Sequence, residues 1–201
     1  MRYGMIIDLS RCIGCNACTV ACKQKNATPP GTFWCKVTTT EEGEYPKAYR
    51  KHMPTLCNHC ENPTCMHVCP TGATYKREDG IVMVDADKCI GCRYCIAACP
   101  YDVRTFNFGD KTSYFPELEE TVPYESQRAG EFKRGTVTKC ILCADRIDEG
   151  NPLPACAQAC PTSARIFGDL DSPEMQQHLV GGAYAPRPEQ RTEPSVYYLP
   201  R

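Results

Sequence analysis

The chain has 201 residues, a formal net charge of −1 from 23 Lys and Arg against 24 Asp and Glu, and 42% hydrophobic residues, a figure inflated by 17 cysteines. Its length allows one or two compact domains with a modest core, and its balanced charge argues against a polyanion-binding surface, so no nucleic-acid partner is expected. No stretch approaches the roughly 20 apolar residues that cross a bilayer, and the opening Met1 to Asp8 has too short an apolar run for a signal peptide.

In chain order, Ile6-Ile7-Asp8 predicts the end of a short strand, followed by a loop with Cys12, Cys15 and Cys18 and a short helix carrying Cys22. Cys35, in Phe33-Trp34-Cys35, lies in a β-rich patch outside every cysteine group. The second group is Cys57, Cys60, Cys65 and Cys69. A hairpin-like stretch from Thr74 to Lys88 leads to the third, Cys89, Cys92, Cys95 and Cys99. Val103 to Lys139 is too long for a simple connection. With Asp110, Glu117, Glu119, Glu120, Lys133, Arg134 and several aromatics, it reads as a surface insertion that meets a partner. The fourth group, Cys140, Cys143, Cys156 and Cys160, precedes a proline-rich, polar segment from Asp171 to Arg201, which predicts an extended tail lying along a partner.

Three chemistries compete for so many thiols. A disulfide framework suits short secreted chains, but the count here is odd and cysteines recur two residues apart. Zinc uses paired C-x-x-C, yet does not require the C-x₂-C-x₂-C-x₃-C spacing of the first and third groups. Iron–sulfur clusters do use that spacing. Three thiolates on a tight loop grip three corners of a cubane, and a fourth, one helical turn on, reaches a different cluster. Proline ends the segment in Cys69-Pro70, Cys99-Pro100 and Cys160-Pro161, whereas Lys23 follows Cys22.

The repeat runs past the cysteines. Ile6-Ile7-Asp8-Leu9-Ser10-Arg11-Cys12-Ile13-Gly14-Cys15 matches Met83-Val84-Asp85-Ala86-Asp87-Lys88-Cys89-Ile90-Gly91-Cys92, and Cys69-Pro70-Thr71-Gly72-Ala73 echoes Cys160-Pro161-Thr162-Ser163-Ala164. Gly14 and Gly91 are expected where backbone approaches a cluster closely. The fold class expected is α+β, two ferredoxin-like 2×[4Fe–4S] modules with short strands and helices, a long insertion and an extended C-terminal tail. Residues 1–50 with 135–170 form one module and 51–102 the other, with the partner-contact insertion at 103–134 and the tail at 171–201. Proximity in sequence pairs the second group with the third, leaving the first for the fourth. Cluster A then takes Cys12, Cys15, Cys18 and Cys160, and cluster B takes Cys22, Cys140, Cys143 and Cys156. Cluster C takes Cys57, Cys60, Cys65 and Cys99, and cluster D takes Cys69, Cys89, Cys92 and Cys95. Pairing the first group with the second is the alternative that spacing leaves open.

Other residues carry smaller expectations. Cys35 reads as a buried structural thiol. His59 and His67 replace no cysteine and read as hydrogen-bonding or loop residues, while His52 and His178 have no evident company. Tyr94 and Tyr101 are expected to shield clusters from water, and Lys23 and Arg93 to offset cluster charge. With no Ser–His–Asp set, phosphate loop or paired-carboxylate site, no substrate-turnover site is assigned to this chain.

The four groups in order, together with Leu56-Cys57-Asn58-His59-Cys60, Cys89-Ile90-Gly91-Cys92-Arg93-Tyr94-Cys95 and Asp145-Arg146 through Gly168-Asp169-Leu170, resemble the four-cluster iron–sulfur subunits of molybdopterin oxidoreductases of the dimethyl-sulfoxide-reductase type. The small subunits of arsenate, polysulfide and tetrathionate reductases, pyrogallol transhydroxylase and catechol dehydroxylases are the nearest in kind. The resemblance implies four [4Fe–4S] clusters here and a molybdopterin centre, with molybdenum or tungsten, on a large catalytic partner near cluster A. It further implies a membrane quinone-linked subunit or soluble carrier near cluster D, and a position in the cytoplasm or, by co-export with the partner, in the periplasm, the periplasmic side being favoured. A free polyferredoxin and a zinc-binding structural module are the competing readings.

Overall fold

The computed structural model describes residues 1–109, 113–115, 117, 122–126 and 132–201. Strand β1 (Tyr3–Asp8) is the centre of a three-stranded sheet, antiparallel to β8 (Arg165–Asp169) and parallel to β9 (Val196–Leu199). Both of its faces are covered. Met5 and Ile7 point into the main core with Val196 and Tyr198, whereas Ile6 packs with Leu170 and Met175, the latter on helix α7 (Pro173–Val180). This is why the run reads as continuously apolar rather than alternating. Gly4 lets the neighbouring segment approach, since a Cβ there would stand 2.4 Å from the Ser195 carbonyl oxygen.

Helix α1 (Ala17–Asn26) follows the first cysteine loop and packs against α6 (Ala155–Gln158) of the fourth group. Strands β2 (Cys35–Glu42) and β3 (Tyr49–Leu56) form a separate hairpin. The second and third groups sit on the short helices α2 (Thr64–His67) and α3 (Tyr94–Ala97), which pack together across the hairpin of β4 (Thr74–Lys76) and β5 (Val82–Val84). Sheet β1–β8 thus joins the chain ends carrying the first and fourth groups, and β4–β5 joins the second and third.

Strands β6 (Thr105–Phe106) and β7 (Val137–Thr138) pair at the base of the insertion. Its described residues fold back on the chain itself. The Tyr114 hydroxyl donates to the Thr28 carbonyl at 2.9 Å, and Tyr124, on α4 (Pro123–Ser126), donates to the Lys23 carbonyl at 2.6 Å. Asp110, Glu119 and Glu120, singled out as partner-facing charges, lie outside the described residues. Helix α5 (Ala144–Asp148) spans part of the gap within the fourth group.

The extended tail is a correction. Residues 171–201 contain α7 and β9, and the segment between them is stitched to the second cysteine loop. The Glu61 and Asn62 amides donate to the Glu193 and Thr192 carbonyls at 2.8 and 3.0 Å, and the Ser195 amide donates to the Asn58 carbonyl at 2.8 Å. The Tyr198 hydroxyl reaches the Pro54 carbonyl at 2.9 Å. Proline and polar residues concealed this segment because its apolar content is confined to one short helix and one short strand, both packed on a sheet distant in sequence.

Candidate metal centres

All seventeen cysteines are free thiols. Cys12, Cys15, Cys18 and Cys160 line one small cavity. Cys69, Cys89, Cys92 and Cys95 line another. Between them lie two further nests. Burial, followed by repulsion from the Cys156 and Cys143 thiolates, pushes Cys22 up to about 12, and Cys140 feels burial and then Cys22 and Cys156. Cys60 is likewise pushed up to about 12, by burial first and then partly by Cys57, Cys65 and Cys99. The sixteen cysteines therefore gather in four nests of four.

The loops that build the nests repeat in backbone as well as sequence. Gly14 and Gly91 share φ of 70°, and Asn16 and Arg93 follow with φ of 60° and 63° before α1 and α3. Such left-handed pairs turn the chain sharply enough to aim successive cysteines inward. The glycines have a second reason beside the one expected. A Cβ on Gly14 would stand 2.4 Å from the His52 ring, and one on Gly91 would stand 2.1 Å from the Gly135 carbonyl oxygen. They admit neighbouring protein behind the loop. His52, which looked solitary in sequence, is that neighbour at Gly14.

The nests fit a cluster. Among the described residues, no three His, Cys, Asp or Glu side chains converge to hold a single metal ion, whereas four thiols framing a cavity suit a larger inorganic core. Cys22, Cys140, Cys143 and Cys156, Cys60 and Cys65, and Cys12 and Cys95 in the two cavities are held up by burial first and by neighbouring thiolates, a cost that a cationic core relieves on binding. Cys69 and Cys160, one in each cavity, are poised differently. Burial raises them, but hydrogen bonds from Thr74, Thr71 and Ala73, and from Thr162, Ala164 and Arg165, outweigh it and draw both down. The Thr74 and Ala164 amides donate to these sulfurs at 3.5 and 3.3 Å, the same device on the same Cys-Pro-Thr-x-Ala motif.

Cys35 is buried, as expected of it, and lies beside Cys18; the two thiols are coupled, Cys35 drawing Cys18 down while it rises itself. His59 is buried too. Its Nδ1 accepts the Val82 amide at 3.0 Å, and burial, then Lys139 and Arg104, hold the ring neutral. His67 bonds Asn62 at 2.8 Å on the surface, and His178 lies in the last turn of α7. Tyr101 is a partial shield, hydrogen-bonded to Thr192 at 2.6 Å near Cys60 and Cys99. Tyr94 is 64% exposed, so it does not serve as a buried cover.

The cations nearest the thiols are not the pair expected from sequence. Lys23 anchors the loop after α1, donating to the carbonyls of Thr28, Pro29 and Thr32 at 3.0–3.2 Å. Arg93 stacks over Phe106 at 4.6 Å. Instead, Arg165 donates to the sulfurs of Cys35 at 3.1 Å, Met5 at 3.4 Å and Cys156 at 3.8 Å, and Arg104 donates to Cys65 at 2.9 Å and to the Thr74 hydroxyl at 3.2 Å. Lys139 donates to the carbonyls of Cys140, at 2.9 Å, and Val82. A signal for the arginines was available: Cys99-Pro100-Tyr101-Asp102-Val103-Arg104 and Cys160-Pro161-Thr162-Ser163-Ala164-Arg165 place each five residues after the closing cysteine.

Repeated cluster loops, paired modules and four cysteine nests define an iron–sulfur protein of the dicluster type. In keeping with this, the 4Fe-4S dicluster domain matches residues 11–73, 49–114 and 108–170. A subunit of the selenate reductase of Mesobacillus selenatarsenatis is 44% identical across 99% of this sequence and 72% of its own length. The arsenate respiratory reductase iron–sulfur subunit of a Shewanella species is 37% identical across 99% and 96%, and a component of the anaerobic dimethyl sulfoxide reductase of Escherichia coli is 36% identical across 99% and 89%. The protein belongs to the family of iron–sulfur electron-transfer subunits of dimethyl-sulfoxide-reductase-type molybdopterin enzymes.

Proposed function

We propose that this chain passes single electrons along four [4Fe–4S] clusters, A to D in that order, between a molybdopterin catalytic subunit and a second redox partner. The second partner would be a membrane quinone-linked subunit or a soluble carrier. The ligand sets are Cys12, Cys15, Cys18 and Cys160 for A; Cys22, Cys140, Cys143 and Cys156 for B; Cys57, Cys60, Cys65 and Cys99 for C; and Cys69, Cys89, Cys92 and Cys95 for D. The observation that carries this reading is the lining of two cavities by a loop of one group and the closing cysteine of another, Cys160 with the first group and Cys69 with the third. It favours exchange between the first and fourth groups over exchange between the first and second. The order is supported by neighbouring thiols across nests: Cys156 feels Cys18, and Cys140 feels Cys57.

The bound clusters supply one-electron chemistry and no bond to substrate. The chain's own residues fix the spacing, keep the interior dry through Met5, Ile7, Leu56, Ile81 and Leu142, and donate amide hydrogen bonds to the sulfurs, which tune potential. Anaerobic purification of the native complex with metal analysis tests the reading. About sixteen irons per chain with a molybdenum- or tungsten-bearing partner is the expected result. Zinc in place of iron would overturn it, and full iron on a chain that purifies alone would make it a free ferredoxin.

A further inference from the structure

Three buried cations stand where successive nests meet. Arg165 is 5% exposed; its guanidinium donates to Cys35 at 3.1 Å and to Cys156 of nest B at 3.8 Å, and it feels the charge of the Cys18 thiolate of nest A. Lys139 is 2% exposed and holds the Cys140 carbonyl in nest B, and of the thiolates Cys57 of nest C acts on it most strongly. Arg104 is 5% exposed, donates to Cys65 of nest C at 2.9 Å, and its charge acts on the Cys95 thiol of nest D. Neither arginine has a carboxylate among its hydrogen-bond or ion-pair partners within the described residues. A full charge so far from water, facing sulfur rather than an acid, is costly unless the sulfur side is itself anionic.

Exposure divides the nests. The outer nests each contain an exposed ligand, Cys15 in A and Cys92 in D, while Cys22, Cys140, Cys143 and Cys156 of B are all buried and C, with Cys57 buried and Cys60, Cys65 and Cys99 half-buried, exposes none. Reduction adds one negative charge to a cluster, and burial away from water opposes added charge. Left to burial alone, the inner clusters would be harder to reduce than the outer ones, and an electron would meet a barrier midway. A junction cation acts on both clusters beside it, so A and D each adjoin one cation while B and C each adjoin two.

We propose that Arg165, Lys139 and Arg104 are positioning charges that raise the potentials of the cluster pairs A–B, B–C and C–D respectively, and so level the relay across its buried middle. The inference rests on the ligand sets given above. The arginines come from one device used twice, since each enters its place five residues after a closing cysteine. At the corresponding position of the second group stands Thr74, whose hydroxyl accepts from Arg104. Lys139 has no such counterpart and arrives through β7, at the seam between the modules.

The test is a potentiometric titration of the purified complex, followed by electron paramagnetic resonance, on Arg165→Gln, Lys139→Met and Arg104→Gln with iron counted in each. Each variant is expected to keep its iron and to lower two potentials, leaving the other two in place. The Arg165 and Arg104 pairs share no member, and the Lys139 pair shares one with each. Arg104→Lys, which retains the charge, is expected to stay near the parent. Unchanged potentials with full iron, or a shift as large in Arg104→Lys as in Arg104→Gln, would overturn the role of charge. Clear two-cluster shifts that do not overlap in this pattern would instead overturn the ligand sets. If a neutral arginine variant loses iron, Lys139→Met decides at the central junction, where lowered potentials support the proposal and unmoved ones refute it.

Discussion

The first and third cysteine groups have the same spacing and the same loop backbone, yet α1 runs ten residues through Cys22 whereas α3 stops after four, short of Cys99. The difference is one residue. Pro100 follows Cys99 and disfavours continued helix at the residue before it, while Lys23 follows Cys22 and lets the helix carry on to Asn26. The longer helix gives the first module a surface for α6 and for the loop that Lys23 anchors. The second module remains a pair of short helices over a three-residue hairpin. An identical metal-binding grammar is thus set in two frames, one broad and stabilised by distant chain segments, the other local and small.

The comparison is broken most completely through the ligands. Cys156→Ser, in a fully buried nest of the broad frame, is expected to cost a whole cluster, about four irons per chain, and to lower soluble yield. Cys92→Ser, at an exposed ligand of the small frame, should leave the chain folded and lose at most about one iron. Iron analysis and electron paramagnetic resonance on the two variants decide it; equal losses would contradict the contrast. Next in size is deletion of residues 196–201, which strips β9 from the sheet of the broad frame and leaves the Ser195 amide on the Asn58 carbonyl of the small one. Exposing the apolar partners of Val196 and Tyr198 should destabilise by about 4 kcal/mol, at about 2 kcal/mol for each buried side chain. Loss of cluster absorbance on heating measures it.

Lys23→Pro would give the first group the closing motif of the other three. Proline inside a helix costs about 3 kcal/mol, so the melting temperature should fall well below that of Lys23→Ala, which loses only the anchor. If the two variants melt alike, the longer helix is not what distinguishes the frames. A finer probe comes from the glycines. Gly91→Ala meets the Gly135 backbone and is expected to cost about 3 kcal/mol, from left-handed strain plus overpacking. Gly14→Ala meets only the His52 ring, so His52→Ala should rescue part of its loss, and failure of that rescue would show the strain to be purely local. The smallest effect is expected at the exposed bridge between the frames, Arg77 to Asp148 at 2.6–2.9 Å. Arg77→Ala should leave iron content unchanged and shift the melt least of all, because exposed ion pairs are screened.

Much of the site was legible because cluster binding requires particular residues at short range. Cysteine spacing, the prolines after Cys69, Cys99 and Cys160, and the glycines between paired cysteines all act within about one turn of chain, so they repeat as visible motifs. Arg104 and Arg165 were partly legible, since each keeps a fixed distance from its closing cysteine, but what they touch depends on another group. Lys139 was not legible. It adjoins Cys140 in sequence, yet its buried position depends on Val82, fifty-seven residues away. Lys23 and Arg93, equally close to cysteines, turn instead toward loop carbonyls and aromatic rings.

By itself the sequence determined the chemistry of this protein: four groups of four thiols, their loop-and-helix form, and membership of a dicluster class. Those features are local, and local sterics suffice to specify them. Only the tertiary structure decided that Cys160 shares a cavity with the first group and Cys69 with the third, that the last residues close the sheet of the first module, and that Arg165, Lys139 and Arg104 are buried. Each of these depends on surfaces brought together from far apart in the chain. Whether a strand finds an edge, or a charge finds a thiol, is settled by the burial of the whole.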